Sequence, residues 1–160
     1  MVFAITALLF SFITARPQTI RGSVIAVIDG NTVQVSSTDN ENYQIVLLGI
    51  DCPELSQEFG VAARSFTQGR LLHEEVVVHL HGKDRYKNYI GVVLRKDSAD
   101  VRLMLLNEGL AWTSERNPLE KLEAVRQEAA SKKRGLWSSD YPVPPWIYRR
   151  QNSMSAPKSR

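Results

Sequence analysis

The stretch I-D-G-N-T-V-Q-V at residues 28–35, followed by Y-Q-I-V-L-L-G-I-D-C-P-E at residues 43–54, decides how this chain folds. Asp29-Gly30 is a turn dipeptide between two apolar runs, which is the strongest short-range signal of a β-hairpin. The second stretch ends at Asp51, and the proline that follows stops strand pairing because it has no backbone N–H. The sequence therefore predicts a hairpin and then a third strand that ends beside acidic residues.

The acidic side chains at that strand end are Asp51 and Glu54, and the turn of the hairpin carries Asn31. Carboxylate, amide and carbonyl oxygens are the ligands that Ca²⁺ takes in proteins. The spacing is therefore compatible with a calcium site in a cleft at the strand end. Two solvated acids at an ordinary strand exit are the alternative interpretation of the same pattern.

Length and composition indicate one globular domain. The chain has 160 residues, 43% of them hydrophobic, which is enough for a sizeable core. Its formal net charge of +3 is compatible with nucleic-acid binding but does not identify a partner. The single cysteine, Cys52, excludes an internal disulfide and a cysteine-based zinc site.

The N-terminal segment is apolar over residues 2–13, which is too short to span a bilayer, since about 20 residues are needed. It is typical of a secretory signal with cleavage near Ala15, and it predicts a secreted or periplasmic protein. An uncleaved membrane anchor and a wrongly assigned start are the alternatives. We therefore divide the chain into a signal or apolar segment at 1–18, a domain at 19–140 and an extended basic tail at 141–160.

The periodicity of apolar residues predicts five short strands and three helices. The strands are expected near residues 21–28, 32–35, 43–50, 75–80 and 88–94, and the helices at 56–66, 97–109 and 117–134. Ser56 is the expected cap of the first helix. Five short strands with helices after the third and the fifth predict an α+β fold. Its architecture is a five-stranded OB-fold β-barrel with three packed helices.

Five motifs, in this order along the chain, carry a resemblance to a known family. They are D-G-N-T-V at 29–33, L-L-G-I-D-C-P-E at 47–54, K-D-R-Y at 83–86, L-N-E-G-L-A at 106–111 and A-x-x-K-K-R-G-L-W-S at 129–138. Together they resemble the staphylococcal nuclease family over about residues 21–138, and P-P-W-I-Y-R-R at 144–150 resembles the end of its bacterial members. The resemblance implies a secreted or periplasmic, calcium-dependent phosphodiesterase that acts on DNA and RNA.

The resemblance also assigns roles to residues of the predicted cleft. It implies that Asn31, Asp51 and the backbone carbonyl of Cys52 would hold Ca²⁺, with Asn31 standing where the family has an aspartate. It implies that Glu54 orients or deprotonates the attacking water. Glu54 is therefore the expected general base.

The two phosphate-binding arginines of the family fall on Val46 and Asn88 in this chain. Fixed cationic donors stabilise the charge that develops in such a transition state, and losing one costs about 10²–10³ in rate. The sequence therefore favours a degraded active site, in a module that binds nucleic acid or a protein partner and binds Ca²⁺ weakly or not at all. A calcium-dependent endonuclease that cleaves DNA or RNA is the alternative.

Basic and aromatic side chains outside the motif positions are further candidates for contact with nucleic acid, because arginine and lysine pair with phosphates and exposed rings stack on bases. The candidates are Arg85, Lys87, Trp146, Arg149 and Arg150.

Overall fold

The structure is a computed structural model that describes residues 18–155. The expected signal segment lies almost wholly outside the described residues. In chain order the elements are β1 (Thr19–Val27), β2 (Thr32–Ser37), β3 (Asn42–Leu47), β4 (Ile50–Asp51), α1 (Gly60–Leu71), β5 (Glu75–Lys83), β6 (Tyr89–Arg95), α2 (Val101–Asn107), β7 (Trp112–Thr113), α3 (Glu120–Ser131) and α4 (Pro145–Ser155). A short 3₁₀ turn at Gly135–Ser138 follows α3.

Five of the strands close into a barrel in the order β1-β2-β3-β6-β5. All neighbouring pairs are antiparallel except β3 and β6, which run parallel. Closure removes the exposed sheet edges that would otherwise invite aggregation. The predicted α+β fold with a five-stranded barrel is confirmed.

The barrel interior is filled by β-branched and aliphatic side chains that alternate along the strands. Val24, Val33, Ile45, Val78 and Val93 are fully buried, and each comes from a different strand. Valine and isoleucine suit such positions because their branched side chains pack well on a pleated surface. The helices α1 and α2 pack against this core through further buried side chains, among them Ala63, Leu71, Leu105 and Leu106.

The third predicted strand, at 43–50, is in fact two elements. The barrel strand β3 ends at Leu47, and Gly49 then turns the chain with a φ of 81°. The last two residues form β4, which pairs antiparallel with β7, so that Asp51 lies opposite Trp112. Glycine adopts a positive φ at little cost, and this turn directs Asp51 out of the barrel wall.

The start of α1 differs from the prediction. The helix begins at Gly60, and its N-cap Phe59 is left-handed and makes no side-chain capping bond. The Ser56 hydroxyl instead accepts a hydrogen bond from Tyr148 on α4. The expected capping role of Ser56 is therefore wrong, because a tertiary contact takes its place.

The C-terminal segment is also different from the extended tail that the sequence suggested. Residues Pro145–Ser155 form α4, which begins at a proline. Proline is favoured at the first helical position, because its fixed φ suits a helix and its missing N–H needs no partner there. Within residues 18–155, no helix is long and apolar enough to cross a membrane.

Candidate active site

The turn between β1 and β2 is held rigidly against α1. The Thr67 hydroxyl donates to the Gly30 carbonyl at 2.7 Å, and the Asn31 N–H donates to the Asp29 carboxylate at 2.9 Å. A Cβ on Gly30 would lie within 2.8 Å of side-chain atoms of Cys52 and of Ala63. The turn therefore needs glycine here so that it can approach the chain that leaves β4.

Asn31 joins this turn to the end of β4. Its side-chain oxygen accepts a hydrogen bond from the Cys52 N–H at 2.9 Å, and its carbonyl accepts one from the Leu47 N–H at 2.8 Å. Asn31 and Asp51 therefore lie close together, and both line one open cleft of about 450 Å³ with Glu54. This is the neighbourhood that the sequence predicted for these three residues.

Arg149 of α4 contacts both carboxylates of the cleft. Its Nη1 donates to Asp51 Oδ1 at 3.2 Å and to Glu54 Oε1 at 2.7 Å, and its Nη2 donates to Asp51 Oδ2 at 2.7 Å. The Arg149–Asp51 contact is a bidentate pair, the geometry in which a guanidinium binds a carboxylate most specifically. One guanidinium therefore links the two acidic residues of the cleft.

The environment acts on Asp51 and Arg149 in different ways. Burial raises the pKa of Asp51 above its usual value, and the negative charges of Glu54 and Asp29 act in the same direction, whereas Arg149 opposes them. The hydrogen bond to Asp51 raises the pKa of Arg149 above its already high value. Arg149 is consequently a permanent positive charge between two carboxylates.

The cleft as a whole is rich in negative charge. Its lining includes five carboxylates and two guanidinium groups: Asp29, Asp51, Glu54, Asp84 and Glu115, with Arg85 and Arg149. A polyanion such as nucleic acid would be repelled by most of this lining. Positive groups that face the open cleft therefore decide where a phosphate could bind.

The position of Arg149 follows from the way in which α4 is attached. Trp146 lies three residues earlier, on the same side of the helix, and its ring meets that of Trp112 edge-to-face at 5.7 Å. Trp112 in turn lies opposite Asp51 in the β4–β7 pair. The Tyr148 hydroxyl also donates to Ser56 Oγ at 2.9 Å, two residues beyond Glu54. These contacts fix the first turn of α4, which leads directly into Arg149.

The other predicted positions are distributed unevenly around the cleft. Val46 lines it, half-buried, with an apolar side chain. Asn88 does not line it, because its amide donates to Asp84 at 3.0 Å and its side-chain oxygen accepts from Gln44 at 3.0 Å. Asn88, which stands where the family has an arginine, thus stabilises the 84–88 turn by its hydrogen bond to Asp84.

Of the five residues expected to contact nucleic acid, three line the cleft and two do not. Arg85 lines the cleft and lies over the Tyr86 ring at 4.7 Å, and Trp146 lines it with its ring packed against Trp112. Lys87 is an exposed turn residue with a φ of 70°, and Arg150 is exposed on α4. Neither of these last two is among the residues that line the cleft.

The side chains of the two expected calcium ligands Asn31 and Asp51 are engaged with protein groups. Across residues 18–155, no group of three or more His, Cys, Asp and Glu side chains is placed to hold a metal ion. Both oxygens of Asp51 and one of Glu54 accept hydrogen bonds from Arg149, and the Asn31 side-chain oxygen accepts one from Cys52. In this arrangement the donors do not fit a divalent ion, which could enter only after displacing Arg149.

Comparison with known protein families identifies the class of protein to which this barrel belongs. The family described as "Staphylococcal nuclease homologue" matches residues 44–139. The chain therefore belongs to the staphylococcal nuclease family, as its motifs indicated.

Several relatives match over most of their own length. The chain is 35% identical over 131 residues to an uncharacterized endonuclease of Escherichia coli O157:H7, covering 81% of this chain and 85% of the relative. It is 32% identical over 145 residues to Protein ParB of Escherichia coli, with 84% and 81% covered. A micrococcal nuclease of Shigella flexneri is 29% identical over 141 residues, with 81% and 80% covered.

Sequence reasoning missed the contact of Arg149 with Asp51 and Glu54, although it named Arg149 among five possible nucleic-acid ligands. The usable signal was the P-P-W-I-Y-R-R run, because a proline at a helix start and the Trp146–Arg149 spacing predict a helix with both side chains on one face. Because the segment was predicted to be extended, Trp146 and Arg149 were not recognised as lying on one face of a helix.

Proposed function

We propose that this protein is a nuclease that hydrolyses phosphodiester bonds of nucleic acid in the cleft formed by Asp51, Glu54 and Arg149. The observation that carries the proposal is the guanidinium of Arg149 held between two carboxylates at the edge of an open cleft. It supplies a fixed positive charge that the substitutions at Val46 and Asn88 had removed from the expected site. The names of the endonuclease and micrococcal nuclease relatives support the same activity.

Glu54 is the residue we assign to activation of water. One of its oxygens accepts from Arg149, its other oxygen has no recorded partner among the described residues, and its side chain is 39% exposed. In the proposed step a water oxygen bonds to phosphorus while the bond from phosphorus to the departing sugar oxygen breaks. One proton of the water passes to Glu54, and the departing oxygen takes a proton from solvent.

No step of this proposal is routed through a metal ion, because the donors face Arg149. The family resemblance nevertheless implies Ca²⁺ held by Asn31, Asp51 and the Cys52 carbonyl, and such an ion would compete with Arg149 for the oxygens of Asp51. Activity is therefore to be measured in calcium, in magnesium and in chelator, as three separate conditions.

A module that binds nucleic acid or protein without cleaving it is the second candidate. The apolar side chain of Val46 in the cleft and the bonding of Asn88 to Asp84 favour it, since neither position presents a cation to a phosphate. The two functions differ in whether covalent chemistry follows binding.

The test is cleavage of denatured DNA and of RNA by the purified protein and by Glu54→Gln, with Glu58→Gln as the matched control. Glu58 is an exposed carboxylate four residues away that does not line the cleft. We expect cleavage by the unmodified protein and by Glu58→Gln, with a loss of about 10²-fold or more in Glu54→Gln, as for removal of a general base.

Two outcomes would contradict the proposal. Equal cleavage by Glu54→Gln and the unmodified protein would mean that the chemistry lies elsewhere or in a contaminant. Binding of nucleic acid without cleavage in all three ionic conditions would instead identify the second candidate.

A further inference from the structure

We infer that Arg149 is the residue that binds the phosphate of the substrate, through the edge of its guanidinium formed by Nε and Nη2. The inference rests on the proposed nuclease function and names a binding residue for it on α4, outside the residues 44–139 that match the family. It follows from the donors of Arg149 that are already bonded, from those that are not, and from the partial exposure of its side chain.

Counting donors identifies the free edge. A guanidinium carries five N–H groups, one on Nε and two on each terminal nitrogen. Three are engaged here: both on Nη1, with Asp51 and Glu54, and one on Nη2, with Asp51. No partner is recorded within residues 18–155 for the Nε–H or for the second N–H of Nη2. These two lie side by side, the arrangement that binds two oxygens of one phosphate.

The Arg149 side chain as a whole stays half exposed, although it is bonded to two carboxylates. The Arg149 side chain is 48% exposed, although its guanidinium is bound by Asp51, which is only 21% exposed. Arg149 also lines the open cleft together with Val46 and Asn31. A phosphate can therefore approach the free edge without displacing either carboxylate.

The bonds to the carboxylates also fix the arginine before a substrate arrives. A free arginine side chain loses rotamer freedom on binding, whereas one held by three hydrogen bonds has already lost it. The attachment of α4 through Trp146 and Tyr148 holds the backbone that immediately precedes Arg149. A preorganised donor of this kind stabilises developing charge without rearrangement during the reaction.

Glu54 and the proposed phosphate contact different sides of the same guanidinium. Glu54 accepts from Nη1 of Arg149 through one oxygen, whereas the free edge is formed by Nε and Nη2. We therefore assign Arg149 to phosphate binding and leave the position of the attacking water open. Arg85, the other cation of the cleft, is exposed and lies over Tyr86, with no recorded bond to either carboxylate.

The experiment compares Arg149→Gln and Arg149→Lys with Arg70→Gln. Arg70 is an exposed arginine on α1 that does not line the cleft, so its variant matches the change in net charge. Binding of a short fluorescein-labelled single-stranded DNA is measured by anisotropy in chelator, so that no divalent ion can enter the cleft when Arg149 is removed. Cleavage of the same DNA is measured in parallel, with circular dichroism to verify folding.

We expect Arg149→Gln to bind the DNA at least tenfold more weakly and to cleave it about 10²-fold more slowly, whereas Arg70→Gln changes both little. Arg149→Lys keeps the charge and loses the paired donors, so it should recover part of the binding and less of the cleavage. Unchanged binding in Arg149→Gln, or full binding and cleavage in Arg149→Lys, would overturn the inference. Faster cleavage by Arg149→Gln would overturn it too, because α4 would then obstruct the cleft.

Failure of this inference can be told apart from failure of the proposed function. If the unmodified protein cleaves and Arg149→Gln cleaves equally well, the nuclease function stands and the assignment of Arg149 is wrong. If no protein cleaves but Arg149→Gln alone loses DNA binding, the phosphate site stands and the catalytic proposal is wrong.

Discussion

Replacing Gly60 by alanine tests whether the loop that carries Glu54 must keep its present position. A Cβ at residue 60 would lie 1.8 Å from the carbonyl oxygen of Glu54 and 3.0 Å from the Cα of Leu55. Ordinary carbon–oxygen contacts are about 3.3 Å or longer, so the Glu54 peptide must move by about 1.5 Å. That carbonyl accepts a hydrogen bond from the Gln57 N–H at 2.8 Å, which the movement would break.

The expected result of Gly60→Ala is a loss of both stability and activity. Overpacking against backbone together with one lost hydrogen bond should lower the free energy of unfolding by about 2–4 kcal/mol. In the protein that remains folded, a displacement of more than 1 Å at Glu54 should slow cleavage by about 10²-fold. Urea unfolding gives the first quantity, and the cleavage rate under conditions where the variant is folded gives the second.

Gly69→Ala is the matched control, because Gly69 lies on the same helix and a Cβ there would meet nothing within 4 Å. Alanine is the better helix former, so this variant should be as stable as the unmodified protein or more stable by about 0.5–1 kcal/mol, with unchanged cleavage. A Gly60→Ala protein with normal stability and normal cleavage would refute the reasoning about the loop.

The remaining predictions concern a thiol and an ion pair. The Cys52 thiol is 3% exposed and burial raises its pKa well above the usual value, so a maleimide should label it slowly in the native protein and rapidly in urea; rapid native labelling would contradict this. The hydrogen bond from Arg126 lowers the pKa of Glu123 from 4.5 to about 2, so the stability from this pair is present above pH 4.5 and is lost as the pH falls towards about 2. Glu123→Gln should therefore lose less stability than the unmodified protein as the pH falls over that range. Glu128→Gln removes an exposed pair with Lys132, so its stability should follow that of the unmodified protein more closely. Urea midpoints that fall in parallel with pH for Glu123→Gln and the unmodified protein would exclude this role of Glu123.

Local sequence signals were sufficient for the barrel and for one side of the cleft. The Asp29-Gly30 turn fixes the first hairpin, and the alternation of apolar residues indicates which side of the later strands is buried. It does not do so for β1, where both faces are apolar and a register shift between Val24 and Ala26 leaves Ile25 exposed. Asn31 and Asp51 come together because the hairpin and the end of the third strand are neighbours in any barrel of this connectivity. Short-range patterns carry this information because they specify both register and turn.

The other side of the cleft depends on contacts between distant parts of the chain. Arg149 lies 98 residues after Asp51 and 95 after Glu54, and it reaches them because Trp146 packs on Trp112. Neither residue spacing nor composition encodes that packing, because the sequence does not show which of the three tryptophans pack against one another. The same holds for Asn88. The sequence alone could not show whether its side chain faces the cleft or, as in the structure, donates a hydrogen bond to Asp84.

The central claim is that the Asp51–Glu54–Arg149 cleft cleaves phosphodiester bonds, and a single-turnover measurement tests it most directly. End-labelled single-stranded DNA is mixed with excess protein, either unmodified or carrying Glu54→Gln, in calcium, in magnesium and in chelator. We predict accumulation of shortened DNA with the unmodified protein in at least one of these conditions, and a rate lower by about 10²-fold or more with Glu54→Gln. Intact DNA in every condition, with a folded protein that binds it, would contradict the claim.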